Sequence, residues 1–166
     1  MKILKIINPD NVSEADLFGW RFRRTVRAVV FDDENKIGLL YIKNRDYYKL
    51  AGGGIEEGED IEAALSRECL EELGVQIKIV DEIGCIIEFR NHDSLHQTSY
   101  CYITKVNSQK GNPCFSEREK SFGYEVLWVK IDDAIKLFNQ IRKSIDDHGK
   151  NFSTERDLCV LNEVLK

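Results

Sequence analysis

A chain of 166 residues with 42% apolar and 10% aromatic side chains is long enough to bury a real core, and reads as a single domain over 1–166. A formal net charge of −5 excludes the basic footprint of a protein that binds nucleic-acid polymers, so a small anionic partner would need a local cation. The five cysteines never form Cys-x-x-Cys pairs and fit reduced thiols better than a disulfide frame or a zinc site; with no signal peptide or membrane-spanning run, a cytoplasmic protein without membrane contact is expected.

In chain order, the β-rich runs at 25–32 (TVRAVVFD) and 37–43 (IGLLYIK) flank the turn signal DENK and predict a hairpin. Residues 47–50 predict a short strand leading into AGGGIEEGED, residues 51–60. Consecutive glycines suit a backbone that approaches an anion, yet Glu56, Glu57, Glu59 and Asp60 follow, and the Lys and Ser or Thr of a P-loop are absent. Residues 61–73 predict a helix with Asp60 as N-cap and Gly74 just past its end. Longer strands are expected at 75–89 and 95–106, a long loop at 107–123, a strand at 125–131, and C-terminal helices at 131–141 and 153–165. The interleaving predicts an α/β fold, a mixed sheet flanked by helices.

At about 100° per residue, Leu65, Cys69, Leu73, Leu70 and Ala63 share one arc of the 61–73 helix, expected to face the core. Glu68, Glu71 and Glu72 converge on the opposite side. A solvated charged face is the ordinary reading. Against it, Glu68 and Glu72 repel at i,i+4 by about 0.2–0.5 kcal/mol, and the last turn of a helix disfavours anions. Arg67 is the only cation in the helix. A hard divalent cation such as Mg²⁺ would reverse each of these terms. On the residues alone, the solvated face and the metal site both stand.

The stretch GGIEEGEDIEAALSRECLEELGV, residues 53–75, resembles the signature box of the MutT-like Nudix hydrolases: Gly, five residues, Glu, seven residues, then Arg-Glu-aliphatic-x-Glu-Glu-x-Gly-aliphatic. Gly53, Glu59, Arg67, Glu68, Glu71, Glu72, Gly74 and Val75 fall in place, and Cys69 stands where the first aliphatic is usual. Seven fixed residue types match by chance at below about 10⁻⁷ per starting position. VLWVKIDDAI, with Trp128, Asp132 and Asp133, resembles the family's late strand and acidic helix, so the family core would run over about 22–138. Tyr48 and Ala51 depart from the usual Trp and Pro ahead of the glycines, which lowers turn rigidity.

The resemblance implies a Nudix-type α/β/α sandwich. It implies a pyrophosphohydrolase that uses Mg²⁺ or Mn²⁺ to cleave a diphosphate linkage in a nucleoside diphosphate derivative or nucleoside triphosphate. Glu68 and Glu72 would be the leading metal ligands, Glu71 the third, and the Gly52 carbonyl a further one. Arg67 would pair with Glu59 or Glu71 and orient its neighbours. The general base would be Glu68, or Glu117 or Glu119 from the long loop, with the loop preferred. Arg27 and Arg45, with Arg23 and Arg24, are candidates for phosphate contact, although basic residues alternating on a strand are as often its wet face. Tyr47, Tyr48, His96 and Tyr100 are candidates for stacking on a base, with packing the safer reading. The extra marks of the ADP-ribose, dinucleoside polyphosphate, coenzyme A and NADH branches are not found. Two other readings are a non-hydrolytic nucleotide-metabolite sensor on the same fold, and an isoprenoid diphosphate isomerase that would need Cys101 or Cys85. A homodimer is left open.

Overall fold

The hairpin around DENK forms, but its strands part at once. The computed structural model describes residues 1–142 and 148–166. In it β2 (Arg21–Phe31) and β3 (Ile37–Ile42) share only the Phe31↔Ile37 register pair. β2 instead runs parallel along β6 (Leu95–Val106), from Arg21↔Leu95 to Phe31↔Lys105. The space left beside β3 is taken by β4 (Tyr47–Leu50), antiparallel to it. The glycine turn that continues β4 bonds back onto β2: Val26 N donates to Gly53 O at 2.9 Å, Ala28 N to Ala51 O at 2.9 Å, and Ile55 N to Arg24 O at 3.0 Å. The glycines are thus laid into the sheet, which fixes their position as a free loop could not.

The seven strands form one mixed sheet in the order β1-β5-β6-β2-β3-β4, with β7 (Tyr124–Val129) pairing antiparallel on β3. β5 (Ile77–Arg90) pairs antiparallel with β6, and β1 (Ile3–Ile7) lies parallel beside it. Strand alternation sends Val26, Ala28 and Val30 to one face, where α1 (Ile61–Leu73) covers them with Leu65, Cys69 and Leu73. Val29, Leu39, Leu50 and Cys101 point to the other face, under α3 (Ile131–Arg142) and α4 (His148–Val164), which supply Phe138, Leu158 and Leu161. Helices on both faces of a mixed sheet are the expected α/β/α arrangement.

Several expectations need correction. β1 was not anticipated; its five residues carry too short a pattern, and pairing with β5 makes the strand. β2 begins at Arg21 rather than 25, because pairing with β6 outweighs the polarity of RFRR. α4 begins at His148, ahead of the expected 153. The loop at 107–123 contains a short helix, α2 (Glu117–Ser121), opened by a capping box between Ser116 and Glu119. The buried stripe of α1 is Ala64, Leu65, Glu68, Cys69, Glu72 and Leu73, while Ala63 and Leu70 are exposed. Two glutamates lie in that stripe because the surface packed against that flank is the glycine turn.

Candidate active site

The site begins where α1 begins. Asp60 Oδ1 accepts from Ala63 N at 2.8 Å, the N-cap that sets the phase of the helix. Glu68 and Glu72, one turn apart, then face the turn at Gly52 and Gly53. Gly52 has φ of +134°, and its N–H donates to Glu72 Oε2 at 2.7 Å. A Cβ on Gly52 would lie 2.1 Å from Val26 O, and one on Gly53 would lie 2.2 Å from Glu68 Oε1. The glycines therefore let the backbone lie directly against carboxylates. The carbonyls of Ala51, Gly53 and Gly54 accept from Ala28 N, Val26 N and Arg67 Nη2; among the described residues that of Gly52 receives no hydrogen bond.

The carboxylates are held under strong local charge. Glu72 is 3% exposed and Glu68 9%. Lys49, on β4, sets its Nζ 2.6 Å from Glu72 Oε1. Burial pulls the Lys49 ammonium down, but the adjacent Glu72 charge outweighs it and leaves the group above its ordinary pKa. Burial, and then repulsion by Glu72, raises the Glu68 carboxyl above the usual range.

Arg67 spends its whole fork here. Nε and Nη2 donate to the two oxygens of Glu59 at 2.8 and 2.9 Å, Nη2 also to Gly54 O at 2.9 Å, and Nη1 to Glu68 Oε1 at 2.8 Å and Glu71 Oε2 at 3.4 Å. Loop, turn and helix are clamped through one side chain. Glu59 falls to a pKa of about 2, first because Arg67 donates to it and then because the Glu56 N–H does. Glu71 is half exposed on the Arg67 side. The structure thus brings Glu68, Glu72 and Gly52 together and leaves Glu71 at the rim; among the described residues no three acidic, His or Cys side chains converge as a ready cage.

A cavity of about 360 Å³ opens over the pair, lined by Arg23, Arg27, Arg45, Lys49, Arg90, Arg118 and Arg156 as well as by Glu68, Glu72 and Glu119. In a chain of net charge −5 this is a strongly positive concavity. The period of two on β2 puts Arg23 and Arg27 in the cavity and Arg24 on the opposite face, 5.4 Å over the Tyr100 ring. Glu88 is buried, accepting from Arg90 Nη2 at 2.9 Å and from Gln97 Nε2. Arg156 Nε donates to Asp157 Oδ1 at 2.7 Å, and Asp157 Oδ2 accepts from Leu50 N at 2.9 Å, tying α4 to β4.

Of the remaining expected residues, Arg45 lines the cavity and sits 4.3 Å over the Phe122 ring. Glu119 lines it too, with Oε2 engaged 2.8 Å from both Ser116 N and Oγ. Glu117 is 91% exposed, pairs with Lys120, and is not part of the lining. Tyr47 lines the cavity, whereas Tyr48 packs on Tyr41 and Phe138, and His96 against Phe22 and Phe89. Cys101 is fully buried, its thiol pushed up to about 12 by burial, and Cys85 is buried in β5; neither lines the cavity, so the isomerase reading lacks its cysteine. Sequence reasoning missed Lys49, Glu88, Arg90, Gln97, Arg156 and Asp157. Only the Arg156–Asp157 pair inside an otherwise apolar helical stripe offered a signal.

Comparison with known proteins agrees with this architecture. The family model described as NUDIX domain matches residues 21–148. Diphosphoinositol polyphosphate phosphohydrolase 2 of Rattus norvegicus is 29% identical over 119 residues, which are 70% of this chain and 63% of that protein. The Homo sapiens protein of the same name is 29% identical over 119 residues, covering 70% and 62%. The chain thus spans less than two thirds of the length of these curated relatives. Among solved structures, a NUDIX hydrolase from Nitrosomonas europaea superposes with a TM-score of 0.61 at 20% identity, covering 82% of this chain and 88% of that one. A MutT NUDIX hydrolase from Burkholderia pseudomallei gives 0.57 at 19% identity, covering 82% and 98%. These structural likenesses concern the fold.

Proposed function

The chain belongs to the NUDIX family, and from that premise we propose that it is a pyrophosphohydrolase that uses Mg²⁺ or Mn²⁺ to cleave a diphosphate linkage in a small phosphorylated metabolite. One observation carries the reading: two adjacent, desolvated carboxylates lie against a glycine turn at the edge of a cavity lined with guanidinium groups.

The residues fit a hard divalent cation. Lys49 seated on Glu72 shows that the position draws positive charge, and the Gly52 carbonyl is free of hydrogen bonds among the described residues. Glu68, Glu72 and the Gly52 carbonyl would hold the ion, with Glu71 joining if it leaves Arg67. When bound, such an ion neutralises diphosphate oxygens and acidifies a water molecule.

The protein's own groups do the rest. Arg67, forked on Glu59, keeps Glu68 and the turn in register. Arg27 and Arg45 would contact substrate phosphates, and Lys49, now on Glu72, would be placed to meet a phosphate oxygen if Glu72 held the ion. Glu119 is the base offered by α2; to take a proton at Oε2 it must give up its bonds to Ser116, whereas Glu68, the other candidate, already stands against the glycine turn.

Candidate substrates are nucleoside diphosphate derivatives, nucleoside triphosphates and polyanions of the kind for which the diphosphoinositol polyphosphate phosphohydrolases are named. All five cysteines are free, which suits a reducing compartment such as the cytoplasm. A hydrolysis panel of these compounds with Mg²⁺ and Mn²⁺, run beside Glu72→Gln, tests the reading. Consumption of one compound by wild type and loss in the variant supports it. No consumption, or equal rates in both proteins, overturns it, and binding without product favours the sensor.

A further inference from the structure

We infer that the α4 side of the cavity is a second anion site, where Arg27, Arg90, Arg156 and Gln97 hold a phosphate monoester and a neighbouring hydroxyl on the uncleaved part of the substrate. This rests on the diphosphate hydrolase reading and names the kind of molecule that carries the diphosphate: a phosphorylated sugar or polyol.

Arg27 supplies the first argument. It is 7% exposed, its Nε has no hydrogen-bond partner, its Nη1 has only the Val26 carbonyl at 2.7 Å, and it makes no ion pair among the described residues. Asp157, Glu72 and Glu88 attract it from a distance, yet none pairs with it directly, and a buried guanidinium with idle donors is unfavourable. The buried carboxylates nearby are already engaged: Glu88 by Arg90 and Gln97, Asp157 by Arg156 and the Leu50 N–H. Arg27, Arg90 and Arg156 therefore outnumber Glu88 and Asp157, and Arg23 beside them widens the excess. A bound phosphate would balance the cluster and take the idle donors, Nε of Arg90 included.

Gln97 supplies the second. Its Nε2 donates to Glu88, an orientation fixed by chemistry, because the flipped amide would set oxygen against carboxylate. Its Oε1 is then a buried acceptor with no donor. A phosphate alone brings no donor when fully ionised; a hydroxyl does. The aromatic rings lining the cavity, by contrast, each already have a cation over them: Arg45 over Phe122 at 4.3 Å, Lys49 over Tyr124 at 5.2 Å and Lys150 over Tyr47 at 5.9 Å.

The test begins with metal-free protein in EDTA, titrated calorimetrically with inorganic phosphate and with a sugar monophosphate. Wild type should bind both one-to-one, the sugar phosphate more tightly. Arg27→Met should weaken both by at least about tenfold, the loss of a charge-assisted bond, and should raise the ligand-free Tm by about 2–4 °C because an uncompensated buried charge is gone. Gln97→Leu should bring the sugar phosphate down to the affinity of inorganic phosphate. Unchanged phosphate binding in Arg27→Met, or a lower Tm, overturns the site even if Gln97→Leu fails to fold. Kinetics then identify the source of the phosphate. Arg27→Met should raise KM more for a sugar diphosphate bearing an extra phosphate monoester than for the same compound without it; equal changes remove the substrate assignment. Glu72→Gln separates the two readings, since it should abolish turnover and leave phosphate binding in place. Turnover lost there, with phosphate binding untouched in Arg27→Met, keeps the hydrolase and discards the second site.

Discussion

On the α1 side of the cavity nearly every charge has an answer inside the chain: Glu59 and Glu68 meet Arg67, and Glu72 meets Lys49 and the Gly52 N–H. On the α4 side the count does not close, and Arg27 and Gln97 keep buried polar atoms without partners among the described residues. The first region is internally paired, with the Arg67 clamp joining loop, turn and helix. The second holds buried polar atoms that the proposed anion would satisfy. On the proposed reading, one concavity would combine a reaction centre with a wall that selects molecules by charge and hydroxyl placement.

The sharpest way to break this contrast is at its catalytic end. Glu72→Gln should lower kcat/KM by about 10³-fold or more, as expected when a carboxylate that would hold the ion is neutralised, measured on the best compound of the panel. Arg67→Lys should cost about 10–100-fold, because a point charge cannot replace a fork that joins Glu59, Gly54 and Glu68; a rate near wild type would mean the clamp is dispensable. Lys49→Met should tighten Mn²⁺ binding to the substrate-free protein by up to about tenfold, since an ammonium no longer competes for Glu72; calorimetry showing weaker binding would contradict the exchange.

Acid tests the scaffold more gently. The pKa of Glu59 is depressed from 4.5 to about 2, so its contribution to stability is complete above pH 4.5 and is lost as pH falls through about 2. Denaturant midpoints should decline over that window, and Glu59→Gln should flatten this part of the decline. The smallest expected effect is that of Cys101→Ala, which should leave kcat/KM within about twofold, because the thiol lies in the core away from the cavity.

The two regions also differ in how far they could be read beforehand. The α1 side is local: helical spacing displays Glu68 and Glu72, and the resemblance to the signature box adds Gly53, Glu59 and Arg67 within the same stretch. Even there hydropathy misplaced the helix by setting Leu70 inward and the glutamates outward, because a glycine backbone, not apolar side chains, receives that flank. The α4 side is assembled from β2, β5, β6 and α4, and no window of sequence contains Arg27, Arg90, Gln97 and Arg156 together. The sheet likewise showed its apolar strands early, while β1 and the basic start of β2 exist through their partners. Long-range pairing is what a single sequence conceals.

The bond from the Leu50 amide to Asp157 has a mechanical consequence. Leu50 stands two positions ahead of Gly52, and Asp157 adjoins Arg156, so a tug on the last helix reaches the glycine turn through one hydrogen bond and a few covalent links. If the proposed ion and phosphate sites are linked through this bond, the linkage is reciprocal, each ligand changing the other's affinity by the same factor.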